Sequence, residues 1–176
     1  MSTAAVTRRD PLPVVLVLAI AALALRGVGT WSFVVPLLGA AGVVAVRPRA
    51  QVRSMRVTWI AVTAAGVLAC ALVRAALPGL PMHATALGLV ASVAAAIGEE
   101  VVFRGGLYGA LERWGAFGAV VVSALVFGVV HAPMYGWTVV PVDVGAGLVF
   151  GWQRWATGGW TSPALTHAAA NLMGAF

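Results

Sequence analysis

The chain has 176 residues, of which 61% are hydrophobic and 9% charged, and its formal net charge is +6. A soluble domain of ordinary composition carries about 25% charged residues, so there is too little polar surface here to cover a soluble globule, and the composition is that of an integral membrane protein. The basic excess does not point to nucleic acid, because all eleven basic residues are Arg, they cluster at the ends of apolar segments, and no soluble basic domain carries them.

Abundant Ala, Val and Gly with Arg in place of Lys fit the product of a GC-rich genome and suggest a bacterial inner membrane. The single cysteine, Cys70, excludes an intramolecular disulfide and a cysteine-rich metal site. It sits in an apolar run and reads as a buried, inert thiol.

A membrane-spanning helix needs about 20 mostly apolar residues. The first candidate, residues 12–25, is short. It reads as a retained helix, because no small-residue cleavage site precedes a soluble domain. Arg26-Gly-Val-Gly-Thr30 forms a turn before a second candidate at residues 31–46. An arginine-rich stretch, residues 47–56, leads into a third candidate at residues 57–77, which Pro78-Gly-Leu-Pro81 closes. A fourth helix is expected from about His83 through Glu100 toward Arg104 and on to Leu111. A fifth is expected from Ala116 to about His131, after which Pro133 should end it or force a turn. The sixth is expected over residues 139–155, followed by a break at Thr157-Gly-Gly159. The seventh begins at Trp160, with Pro163 in its first turn, where a missing N–H is harmless.

The expected fold is therefore all-α, a polytopic membrane bundle of about seven helices. Residues 1–81 hold three N-terminal spans and residues 82–176 hold the rest. With the N-terminus cytoplasmic, Arg8, Arg9, Arg47, Arg49, Arg53, Arg56, Arg104, Arg113 and Arg154 fall inside and Arg26 and Arg74 outside, as the positive-inside rule requires. The tryptophans fall mostly at span ends, where an aromatic belt is expected.

The chain has only five acids, and two of them, Glu99 and Glu100, are adjacent within an apolar run. A carboxylate at such a position costs about 2.5–3.5 kcal/mol even on a lenient insertion scale. On a helix Glu100 and Arg104 are i,i+4 and can pair, while Glu99 points about 100° away. One carboxylate can thus be structural and the other available for chemistry. Neutralisation of boundary arginines is the plainer reading. Phe127 and His131 share a face of a later helix, and His167 and Asn171 share a face of the last one. Each of these pairs also has a plainer reading as packing or interfacial side chains. Asp143 can cap a helix start or meet an arginine, and His83 reads as interfacial.

Taken together, a carboxylate, two imidazoles and an amide occur on three membrane helices. In an apolar interior such groups face one another or a wet cavity. A carboxylate there can act as general base toward water, an imidazole can hold the same water, and His with Asn can donate to an oxyanion. These parts suffice for peptide hydrolysis without a covalent nucleophile.

Glu99-Glu100-Val-Val-Phe-Arg104, Phe127 to His131, and His167 to Asn171 occur in the order of the CPBP family of intramembrane proteases, the CAAX prenyl-endopeptidase and bacteriocin-processing (Abi) family, which this chain resembles over roughly residues 82–176. The resemblance implies a membrane endopeptidase in which Glu99 activates water, His131 shares that water, and His167 and Asn171 stabilise the oxyanion or orient the substrate. Glu100 and Arg104 brace the site and Phe127 packs beside it. The family has been described both as metalloproteases and as glutamate proteases. Glu99, His131 and His167 could hold a zinc ion, although the His-Glu-x-x-His helix of zincins is absent; the balance leans toward metal-independent water activation. The implied partners are the lipid bilayer and a membrane-associated peptide or protein substrate, without nucleic acid. The oligomeric state is not legible. Two other readings stay open: a non-catalytic bacteriocin-immunity or scaffold protein that retains the fold, and a small transporter with a Glu99–His131 proton relay.

Overall fold

The computed structural model describes residues 13, 14, 17, 37–42, 56–76 and 85–174. Every regular element among them is helical. In chain order, α1 spans Arg56–Ala76, α2 Ala86–Glu100, α3 Tyr108–Leu111, α4 Ala116–Tyr135, α5 Val140–Thr157 and α6 Thr161–Met173. A π-helical segment, Val101–Leu107, carries α2 into α3, and a 3-10 turn, Glu112–Trp114, closes that run.

Three runs are long and apolar enough to cross a bilayer: Thr58–Ala76, Ala86–Trp114 and Ala116–Tyr135, with 19, 29 and 20 residues. Twenty residues at 1.5 Å each give about 30 Å, the thickness of the hydrocarbon core. Of the seven expected crossings, these three are long and apolar enough among the described residues. Helix α6 has 13 residues, about 20 Å of helix. Helix α5 has 18 residues but is interrupted by Asp143, Gln153, Arg154 and several glycines. Most of the first candidate span, the turn after it, most of the second, the stretch 47–55, the closing Pro78-Gly-Leu-Pro81 and His83 lie outside the described residues. Within the second candidate, residues 37–42 are helical, and Leu37, Ala40 and Ala41 pack against Ala95, Val101 and Val102.

The bundle is apolar outside and polar within. Ile60, Leu72, Leu87, Val90, Phe117 and Leu165 are exposed, whereas Glu100, Arg104, Gln153, Ser162 and Thr166 are fully buried. A hydrocarbon solvent favours this distribution, because polar groups must then find partners inside the protein.

Close approach of α4 and α5 depends on glycine. A Cβ on Gly147 would lie 2.9 Å from the Ala124 Cα, and one on Gly128 would run into the Val144 side chain. Small residues at such a crossing let two backbones touch, which is the main source of helix association where solvent drives nothing together. Helix α1 is tied to α5 and α6 by polar contacts. Gln153 Nε2 donates to the Val62 carbonyl at 3.0 Å and to Thr166 Oγ1 at 2.8 Å, and the Thr63 and Ser162 hydroxyls meet at 2.8 Å.

Helix α4 corrects the expectation that Pro133 ends it. The helix continues to Tyr135 with Pro133 inside it. So close to the end, a proline removes one intrahelical bond and leaves the preceding turns intact. The stop is Gly136, at φ +84°, whose N–H returns to the Ala132 carbonyl at 2.9 Å. His131 therefore sits within a helical turn and not at its frayed edge.

Candidate active site

Helices α2, α4 and α6 bring Glu99, His131 and His167 together. Glu99 Oε2 lies 3.8 Å from His131 Nε2 and 4.0 Å from His167 Nε2. All three residues are buried, Glu99 with 6% of its surface exposed.

The adjacent Glu100 turns the other way. Its Oε1 accepts from Arg104 Nη1 at 3.0 Å and from His167 Nδ1 at 3.0 Å. Glu100 and Arg104 are both 0% exposed. The expectation that Arg104 marks a cytoplasmic flank is corrected here, since it is a core residue. Its Nη2 donates to the Gly147 carbonyl at 3.0 Å, and its guanidinium carbon lies 4.7 Å from the Phe127 ring centre and 5.2 Å from that of Phe150. Aromatic faces favour a cation at such distances, more so away from water.

The π-helical segment positions this arginine. The Tyr108 N–H bonds the Phe103 carbonyl, five residues back. The Arg104 carbonyl accepts instead from Arg154 Nε on α5, at 3.1 Å. Single π turns inside α-helices often mark functional sites, and here the turn begins directly after the acidic pair.

The hydrogen bonds assign the tautomers of the two imidazoles. His131 Nδ1 lies 2.7 Å from the Phe127 carbonyl. A carbonyl only accepts, so Nδ1 carries the hydrogen. His167 Nδ1 faces a carboxylate that Arg104 already engages, and it too is the donor. In the neutral rings both Nε2 atoms therefore present lone pairs toward Glu99.

Phe127 packs against both histidines, with ring centres 4.7 Å from His131 and 5.7 Å from His167. Asn171 lies one helical turn beyond His167, part-buried, and its Nδ2 donates to the Ser92 carbonyl on α2 at 3.3 Å. An amide nitrogen carries two hydrogens, so a second donor remains on Asn171.

Three neighbours carry no sequence signal that joins them to the site. Phe150 stacks on His167 with ring centres 5.0 Å apart and an angle of 22° between the planes. Arg154 holds the Arg104 carbonyl. Asp143, in the first turn of α5, places Oδ2 3.8 Å from His131 Nδ1. Its single occurrence on a helix start gave no reason to join it to His131, which is distant in spacing and on another helix.

A metal would draw on the Glu99, His131 and His167 donors. Two ligands at about 2.0–2.1 Å from a tetrahedral zinc lie about 3.3–3.4 Å apart, less than the separations of 3.8 and 4.0 Å seen here. Among the described residues no group of three His, Cys, Asp or Glu side chains has the geometry of a metal site. The donor set as arranged does not close around an ion.

No curated protein matches the chain, and no solved structure does. A family model described as type II CAAX prenyl endopeptidase Rce1-like matches residues 81–173, more than half of the chain and the whole stretch from α2 to α6. This is an all-helical, membrane-type bundle whose matched region contains the buried acidic pair, its arginine and both histidines. The chain belongs to the type II CAAX prenyl endopeptidase Rce1-like family.

Proposed function

We propose that the chain is an intramembrane endopeptidase that hydrolyses a peptide bond of a membrane-associated peptide or protein with water activated by Glu99. One observation carries this reading: Glu99 Oε2 faces the Nε2 atoms of His131 and His167 at 3.8 and 4.0 Å. Those separations exceed a direct hydrogen bond, and one bridging water spans either of them.

Glu99 takes a proton from that water while His131 Nε2 accepts its second hydrogen bond and fixes its orientation. The oxygen adds to the substrate carbonyl carbon. The resulting oxyanion is met by the second N–H of Asn171. His167 joins as a donor only in its doubly protonated form, since its Nδ1–H is committed to Glu100. Glu99 then returns the proton to the leaving nitrogen as the C–N bond breaks. The step needs neither a covalent intermediate nor a metal. The family description makes a lipidated C-terminal peptide the first substrate class to try.

The test is cleavage in membranes by Glu99→Gln and His131→Ala, each checked for insertion and folding. A positioned base or acid contributes about 10²–10⁴-fold, and each variant should lose that much. Unchanged cleavage by both would sink the site assignment. A non-catalytic scaffold would retain its phenotype in both variants.

A further inference from the structure

We propose that Arg74 recognises the free C-terminal carboxylate of the substrate and sets the cleaved bond within about three residues of it; this rests on the reading of Glu99, His131 and Asn171 as the catalytic group. Helices α1 and α6 run side by side in the same direction. The Thr63 and Ser162 hydroxyls meet near one end, and Arg74 Nε donates to the Met173 carbonyl at 3.2 Å near the other. An arginine this close to a helix end ordinarily turns its head out to interfacial water. Arg74, in the last turn of α1, is part-buried and turns onto α6 instead.

The contact with Met173 uses the single hydrogen on Nε, and the other guanidinium hydrogens are on Nη1 and Nη2. No described residue accepts from those two nitrogens. Each described acid is engaged elsewhere: Glu99 faces the two histidines, Glu100 pairs with Arg104, Asp143 lies beside His131 and Glu112 meets Arg154. Capping the end of α6 accounts for Nε and for the charge, but it leaves the fork of Nη donors unused. That fork stands at the end of the helix that carries His167 and Asn171. Its geometry matches a carboxylate in two parallel hydrogen bonds, and a peptide substrate brings such a group at its C-terminus. Met173 lies beyond Asn171 by about 3 Å of helix rise and beyond His167 by about 9 Å. An extended peptide advances about 3.3 Å per residue. A carboxylate held at Arg74 thus leaves room for one to about three residues before the bond that reaches the catalytic group.

The test compares two internally quenched prenylated peptides that differ only in a C-terminal carboxylate or carboxamide, with purified full-length protein in phosphatidylcholine vesicles. Wild type should hydrolyse the acid with kcat/KM about 10–100-fold above the amide, as hydrogen bonds to a charged group allow. Mass spectrometry should show a released fragment of at most about three residues, and lengthening the peptide by one residue at its C-terminus should move the cut by one. Arg74→Gln removes the fork and should bring the acid to within about threefold of the amide. Equal hydrolysis of the two peptides by wild type, an outcome that needs no variant to fold, would overturn the inference. So would a preference for the acid that survives in Arg74→Gln, whatever the overall loss, since a purely capping role for Arg74 predicts that result. A loss on both peptides that appears only when phosphatidylglycerol is added to the vesicles would mark a lipid-phosphate site and overturn it as well. A preference for the acid that depends on Arg74, with Glu99→Gln still fully active, would leave the Arg74 site standing and overturn the catalytic reading instead.

Discussion

Removing Glu100 should unfold this protein more readily than removing Glu99, although the two are adjacent. Glu100 and Arg104 are both 0% exposed and are joined at 3.0 Å. Glu100→Leu would leave the Arg104 charge buried without its carboxylate and would deprive His167 Nδ1 of its acceptor. Breaking a buried ion pair from one side costs about 3–5 kcal/mol. Arg104 keeps its bond to the Gly147 carbonyl and its contacts with Phe127 and Phe150, so the expected loss is near the lower bound, about 3 kcal/mol. Adding Arg104→Met removes the stranded charge, and a well-packed apolar pair is often as stable as the ions it replaces. The double variant should return to within about 1 kcal/mol of wild type. Unfolding by sodium dodecyl sulfate in mixed micelles, followed by tryptophan fluorescence, measures all three. A loss below about 1 kcal/mol in Glu100→Leu, or a double variant as unstable as the single, would refute the reasoning.

Arg154→Gln should destabilise by about 1–3 kcal/mol, because the buried Arg104 carbonyl loses its donor at 3.1 Å. Glu112→Gln should change stability by less than about 1 kcal/mol, since Glu112 meets Arg154 at 3.4 Å with 42% of its side chain exposed. The thermal midpoints of the two variants test that contrast. Cleavage by purified protein should stay within about twofold after incubation with a strong zinc chelator, as metal-independent water activation requires; loss of activity restored by added zinc would show that the donors close around an ion after all.

Much of the site was legible because the membrane makes polar residues conspicuous. Glu99, Glu100, His131 and His167 stand in apolar runs, and the i,i+4 spacing of Glu100 and Arg104 predicts the pair that forms. The different directions of the two glutamates also follow from helix geometry, since adjacent residues point about 100° apart. What the pattern hides depends on packing between helices. Asp143 and Arg154 act on α4 and on the π-helical segment from α5, and no periodicity within one helix reports such contacts. The π turn itself is invisible to a 3.6-residue pattern. Arginine ordinarily marks a membrane boundary; at Arg104 a carboxylate, a carbonyl and three aromatic rings make burial tolerable. A proline two residues from a helix end removes only one bond, and the stop lies at Gly136.

The central claim is that Glu99, between two imidazole Nε2 atoms, activates the water that cleaves the peptide. Glu99→Gln keeps the shape of the side chain and removes its ability to take a proton. The most direct measurement is binding and turnover of one quenched membrane-anchored peptide by wild-type and Glu99→Gln protein in the same vesicles. The account predicts binding within about twofold of wild type and turnover lower by about 10²–10⁴-fold. Turnover within about threefold of wild type by the folded variant would contradict it.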